Sequence, residues 1–217
     1  MSDIFDEVEQ ELRADRAKQL LQRYAGVLIG AALVVVLAVG GWEAWQAWQA
    51  RQRAAVATLY IQASNAADSP SAATRQAAVP ELRQVIARGN EGYRTLARLR
   101  LAAVLAASSP KEALSLWDQV AGDRAADPLL RETANLSWAL HVLDTGDPGV
   151  VRGRLEALAR PQDPLHALAE EGLALLDVRL GRVAQAKVRL KALMNDTTAP
   201  QGVRGRAAGL LIQLGGA

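Results

Sequence analysis

The sequence predicts an all-α protein: an N-terminal transmembrane helix with a helical stalk, followed by a solenoid of helical repeats. Three observations carry that prediction. Residues Ala25 to Gly41 form a run of 17 without a charged or strongly polar side chain. Half the chain is hydrophobic but aromatics are only 4%, and Ala and Leu with Arg and Glu favour helix, while no stretch alternates as a half-buried strand requires. From Glu91 onward the chain repeats itself at a period near 34 residues.

With Tyr24 and Trp42 the apolar run makes roughly 28 Å of helix, enough for a hydrocarbon core about 30 Å thick. Tyr24 before it, and Trp42, Trp45 and Trp48 after it, suit the half-wet headgroup layer. A core helix of this length would show a polar face, and this one has none. A cleaved signal is disfavoured, because the leading 23 residues open acidic and the apolar run is too long, although Ala38-Val39-Gly40 can be read as small-x-small. Arg13, Arg16, Lys18 and Arg23 precede the run, against Arg51 and Arg53 after it. The positive-inside rule then puts the N-terminus in the cytoplasm and the bulk of the chain across the membrane, which in a bacterium is the periplasm.

Residues 1–23 read as a short amphipathic cytoplasmic helix. Ser2 or Asp3 can cap it, acids crowd its start and bases its end, matching the helix dipole. Its stripe of Ile4, Phe5, Val8 and Leu12 either docks a cytoplasmic partner or lies on the membrane. Residues 24–42 are the transmembrane helix and 43–66 a stalk that continues it. The cluster Asp68-Ser69-Pro70-Ser71 breaks the stalk. Within the repeat domain, 67–217, a helix then runs through Arg88 and is closed by Gly89-Asn90.

Three segments, Leu96 to Ala121, Asn135 to Ala159 and Glu171 to Met194, each join an apolar helix to an amphipathic one by a short turn. Ala102, Ala139, Ala174 and Ala208 follow large or small apolar neighbours 37, 35 and 34 residues apart. Turn glycines Gly146, Gly181 and Gly215 lie 35 and 34 apart, and Pro128, Pro164 and Pro200 recur every 36 at the joins. A period near 34 built from helix–turn–helix units is the tetratricopeptide pattern. Its second helix wants a small residue, a bulky one four later and another apolar three beyond. Ala113-Trp117-Val120 and Ala186-Leu190-Leu193 fit; Val151-Leu155-Leu158 fits except that Val151 is not small. Gly202 to Leu214 supply a lone final helix that caps the stack.

Chemistry is sparse. Without cysteine there is no disulfide, thiolate metal site or cysteine nucleophile. His141 and His166 lack a second ligand at helical spacing. No phosphate loop, nucleophile elbow or HExxH occurs. Trp117 and Trp138 occupy positions that the repeat buries. No enzyme, cofactor or metal is expected. The net charge of +2 argues against nucleic acid, and because only four positive side chains are Lys, compositional bias of the genome accounts for the arginines as well as recognition does. What remains is a surface. The first helix of each unit lines the concave face, placing Leu99, Arg100, Leu136, Leu140, Leu143, Leu175, Val178 and Arg179 near a protein-binding groove; the alternative is that the leucines pack against their own second helices.

With its charged amino-terminal helix, its anchor, its tryptophan-rich stalk and the stretch Gly92-Tyr93 followed by TLARLRLAAVLAASSPKEALSLW, the chain resembles the bacterial single-pass inner-membrane tetratricopeptide proteins described as ancillary subunits of the Sec translocon. The resemblance implies a non-enzymatic periplasmic scaffold whose partners are the translocon, periplasmic chaperones or exported polypeptides, and it carries no catalytic residues. Two other functions fit the same elements: a scaffold for envelope or division machinery, and a regulatory protein signalling through its cytoplasmic helix.

Overall fold

A computed structural model describes the backbone of residues 3–215 and the side chains of 26–215 except residues 28 and 32. The cap at Ser2, the apolar stripe of the first 23 residues and the ring of Tyr24 lie outside the described side chains. The described residues are helical with no strands: α1 (Asp3–Ala67), α2 (Ala72–Arg88), α3 (Glu91–Leu105), α4 (Pro110–Gly122), α5 (Pro128–His141), α6 (Pro148–Leu158), α7 (His166–Arg179), α8 (Val183–Asn195) and α9 (Gln201–Gln213). They divide into two compact units, Met1–Ala54 and Ala55–Ala217.

In the first unit, the described apolar side chains of α1, among them Val34, Val36 and Leu37, are exposed. One described helix, from Ile29, is long and apolar enough to cross a membrane. Trp42 and Trp45 sit with their rings 5.5 Å apart, one helical turn along α1.

The second unit is a stack of helix pairs. Residues 55–66, expected as stalk, are part of it. Ala63 and Ala67 are buried in a cluster with Ala78, Leu82 and Val85 of α2 and Ala97 and Leu101 of α3. Ala78-Leu82-Val85 has the same i, i+4, i+7 spacing as Ala113-Trp117-Val120, 35 residues later. The repeating pattern therefore begins one helix pair before Glu91. The corresponding residues of α6 and α8 are likewise buried.

Small residues mark the helix seams. Ala63, Ala97, Ala134 and Ala169 are fully buried at the equivalent place on successive first helices, and Val203 takes it on α9. Ala102, Ala139 and Ala174 are also fully buried, whereas Ala208 is half-exposed on α9. Gly172 carries the approach furthest. A Cβ there would lie 3.1 Å from both Leu140 Cδ2 and Leu155 Cδ2.

Caps punctuate the helices. Asp127 accepts from the Leu129 amide at 2.8 Å, Asp147 from Val150 at 2.9 Å and Asn90 from Tyr93 at 3.0 Å, and proline opens α4, α5 and α6. The periodic glycines serve two different purposes. Gly181 and Gly215 adopt φ of +70° and +69°, which a side chain disfavours by about 1 kcal/mol. Gly146 does not; there a Cβ would lie 2.9 Å from the Val142 carbonyl oxygen. Gly146→Ala is therefore expected to cost about 2 kcal/mol and Gly181→Ala about half that, measured by chemical denaturation. Equal costs at the two sites would mean that the Gly146 turn relaxes.

Candidate protein-binding groove

The first helices of three successive pairs form a depression of ≈ 380 Å³. The last turns of α1 contribute Tyr60, Ile61, Ser64 and Asn65, α3 contributes Leu96, Leu99, Arg100 and Ala103, and α5 contributes Thr133 and Ser137. Trp117 of α4 closes the floor, almost fully buried, with its ring 5.3 Å from that of His141. Spacing explains why these side chains share a face. Thr133 and Ser137 are one turn apart on α5, as are Leu96 and Arg100 on α3. Leu129 and Leu140, both exposed, extend the α5 face at either end.

Arg100 holds the wall together. Its guanidinium donates to the Ser64 carbonyl at 3.3 Å and pairs with Asp68, both 32 to 36 residues earlier, so that α3 is tied to the end of α1. Arg100 Nε and Ser64 Oγ are buried without a hydrogen-bond partner. Thr133 Oγ1 donates to the Leu129 carbonyl at 2.7 Å.

Of the residues expected near a protein-binding groove, Leu99 and Arg100 line the depression. Leu140 is exposed beside it, and its Cδ2 faces Gly172. Leu136 and Leu143 are buried; Leu136 packs with Val151, Leu155 and Leu158 of its own second helix. Leu175 and Val178 are half-buried on α7, apart from the depression. Arg179 turns back to donate to the carbonyls of Leu143 at 2.6 Å and Gly146 at 3.0 Å, in the turn between α5 and α6. The α1 residues of the depression escape a sequence reading that places them in a stalk. The signal that would have recovered them is the Ala78-Leu82-Val85 spacing.

Below α7 a polar cluster locks the later pairs. Asp177 is buried and accepts from Arg152 of α6 at 2.6 Å and Arg189 of α8 at 3.2 Å; Arg189 also donates to Glu170 at 2.6 Å. Burial works against the Arg189 charge, yet hydrogen bonds and attraction from Glu170 and Asp177 raise its pKa above the ordinary arginine value. Arg206 of α9 forks onto both oxygens of Glu171 at 2.6 Å, which raises its pKa as well. Trp138 lies under the Arg154 guanidinium at 3.9 Å, and Arg154 reaches Asp118 at 2.7 Å.

Before α9, the Thr198 hydroxyl and amide hold the Asp196 carboxyl below its ordinary range. A depressed carboxylate contributes fully above its unfolded pKa, and the contribution is lost as pH falls through the folded one. Asp196→Ala is thus expected to lower the thermal midpoint at about pH 7 and to approach the wild type as the pH falls through the folded carboxyl's own lowered pKa. A deficit that persists in acid would assign the effect to the turn geometry instead.

Among the described residues no group of three or more His, Asp or Glu side chains could hold a metal ion. The His166 ring nitrogen Nδ1 sits 2.9 Å from the Ala159 carbonyl. The fold and the depression together define a helical-repeat protein with an exposed groove on its first helices. Residues 18–84 match the family described as "Tetratricopeptide repeat-like domain". That match spans much of α1 and most of α2, the first helix pair, and less than half of the chain. No curated protein and no solved structure matches it.

Proposed function

We propose that this is a membrane-anchored, non-enzymatic scaffold that binds other proteins through the groove on α1, α3 and α5. The observation that carries the reading is the depression itself. It lies across the first helices of three consecutive pairs, where a helical-repeat stack offers a continuous surface to a partner. The exposed apolar segment of α1, with Trp42 and Trp45 beyond it, supports a single span, and the flanking arginines and lysine support an N-terminus in the cytoplasm. On this reading residues 1–23 are cytoplasmic, 24–42 cross the bacterial inner membrane, and the repeat stack is periplasmic. The resemblance to ancillary translocon subunits supports a role linking the Sec translocon to periplasmic chaperones or exported clients.

The test is photocrosslinking in intact cells from Leu99 and Ile61 in the groove, with Val188 on α8 as a control. Discrete protein adducts are expected from the two groove positions and not from Val188. Adducts from all three alike would remove the groove from the account. Exchanging residues 24–42 for an unrelated span is expected to weaken co-purification with the translocon; unchanged recovery would reduce the anchor to a tether.

A further inference from the structure

Given that the groove binds protein, its side chains define the kind of chain it takes, and this step rests on that reading. The ionised group on its wall, Arg100, already pairs with Asp68, and no other lining side chain carries a charge. A charged partner group would give up hydration for a site whose own charge is already matched. The remaining polar groups are neutral: the hydroxyls of Tyr60, Ser64, Thr133 and Ser137, the amide of Asn65 and the indole N–H of Trp117. Thr133 has committed its hydrogen to Leu129 and is left able to accept. Asn65 offers both donor and acceptor. Ser64 Oγ and Arg100 Nε, buried beneath, hold donors without acceptors.

Such groups match a main chain that has not used its own hydrogen bonds. A helix has satisfied its amides and carbonyls internally, whereas an extended chain presents both at every residue. Among the polar groups, Leu96, Leu99 and Trp117 form an apolar floor. A depression of ≈ 380 Å³ accommodates an apolar side chain with its flanking backbone.

We propose that the groove takes an uncharged, extended, apolar stretch of polypeptide, the chemistry of a chain that has not yet folded. Its side chain rests on Leu99 and Trp117, and its backbone bonds to the Asn65, Thr133 and Ser137 side chains.

The experiment uses the full-length protein in lipid nanodiscs, with empty nanodiscs as the blank, and fluorescence anisotropy of three peptides of equal length. One is neutral and apolar with prolines that prevent helix; the second replaces its apolar residues with glutamate; the third is neutral, apolar and locked as a helix. The first is expected to bind at least about 10-fold more tightly than the others. Its affinity is expected to change little between about 50 and about 500 mM salt, since no net charge is paired. Ala103→Phe, which fills the groove from an exposed position, is expected to weaken binding about 10-fold, and Asn65→Ala less; unchanged melting curves show that both variants fold. Preference for the acidic peptide with steep salt dependence, or for the locked helix, would overturn the proposal. If no peptide binds while Leu99 still crosslinks a folded protein in cells, the extended-chain inference fails and protein binding stands. If Leu99 crosslinks nothing, both fail.

Discussion

Replacing Asp177 by alanine is expected to cost the repeat stack about 3 kcal/mol, because a buried carboxylate that serves several cations leaves them unmatched when it is removed. Asp177 is 2% exposed, and it bridges α6 and α8 through Arg152 and Arg189, with Arg182 at 4.0 Å. The arginines are partly solvated and recover some hydration, which keeps the cost at the lower end of the range for buried pairs. Urea denaturation followed by circular dichroism measures it. Arg152→Ala and the double variant complete a cycle, and a coupling of more than about 0.5 kcal/mol is expected. A loss below about 1 kcal/mol for Asp177→Ala would place these contacts with ordinary surface pairs.

Leu155→Ala is expected to have a comparable effect, about 3 kcal/mol, through the cavity it leaves. Leu155 is fully buried between α6 and α7, in a cluster with Leu136, Val151, Leu173 and Leu176, and its methyl groups press on Gly172. Gly172 leaves no side chain to relax into the space, so collapse is limited. Because neighbouring pairs supply most of the contacts in such a stack, limited proteolysis of Leu155→Ala is expected to cut near α6 and α7 first. Uniform cleavage along the chain would mean that the stack unfolds as one block.

The repeat was legible because it rests on local spacing. Small residues at helix seams and apolar residues at i, i+4 and i+7 follow from helix geometry alone, and Trp117, Leu155 and Leu190 are buried where that geometry places them. The first helix pair escaped because α1 runs on from Trp42 to Ala67 without a glycine or proline. Ile61, Ser64 and Asn65 look like stalk until Ala63 and Ala67 are seen packed against α2. Leu136 and Leu143 were placed on a surface from period alone, but period does not tell which side of a first helix its partner covers. The arginines were the least legible. Arg100, Arg154, Arg179 and Arg206 each reach a partner 35 or 36 residues away, one repeat back. A sequence shows an arginine's type but not which acceptor a neighbouring repeat brings beside it, so a compositional account was equally available.

The one-repeat reach of those arginines bears on how the stack assembles. Among α2 to α9, each helix touches only its next or next-but-one neighbour in sequence. No surface waits for a distant part of the chain, so loop-closure entropy stays small at every step. As the polypeptide emerges from its amino-terminal side, each new hairpin meets a finished template and is fastened to it by an arginine from its own residues. The stack can therefore be completed vectorially, one hairpin at a time, and a pause in synthesis leaves a shorter stack with one unfinished end.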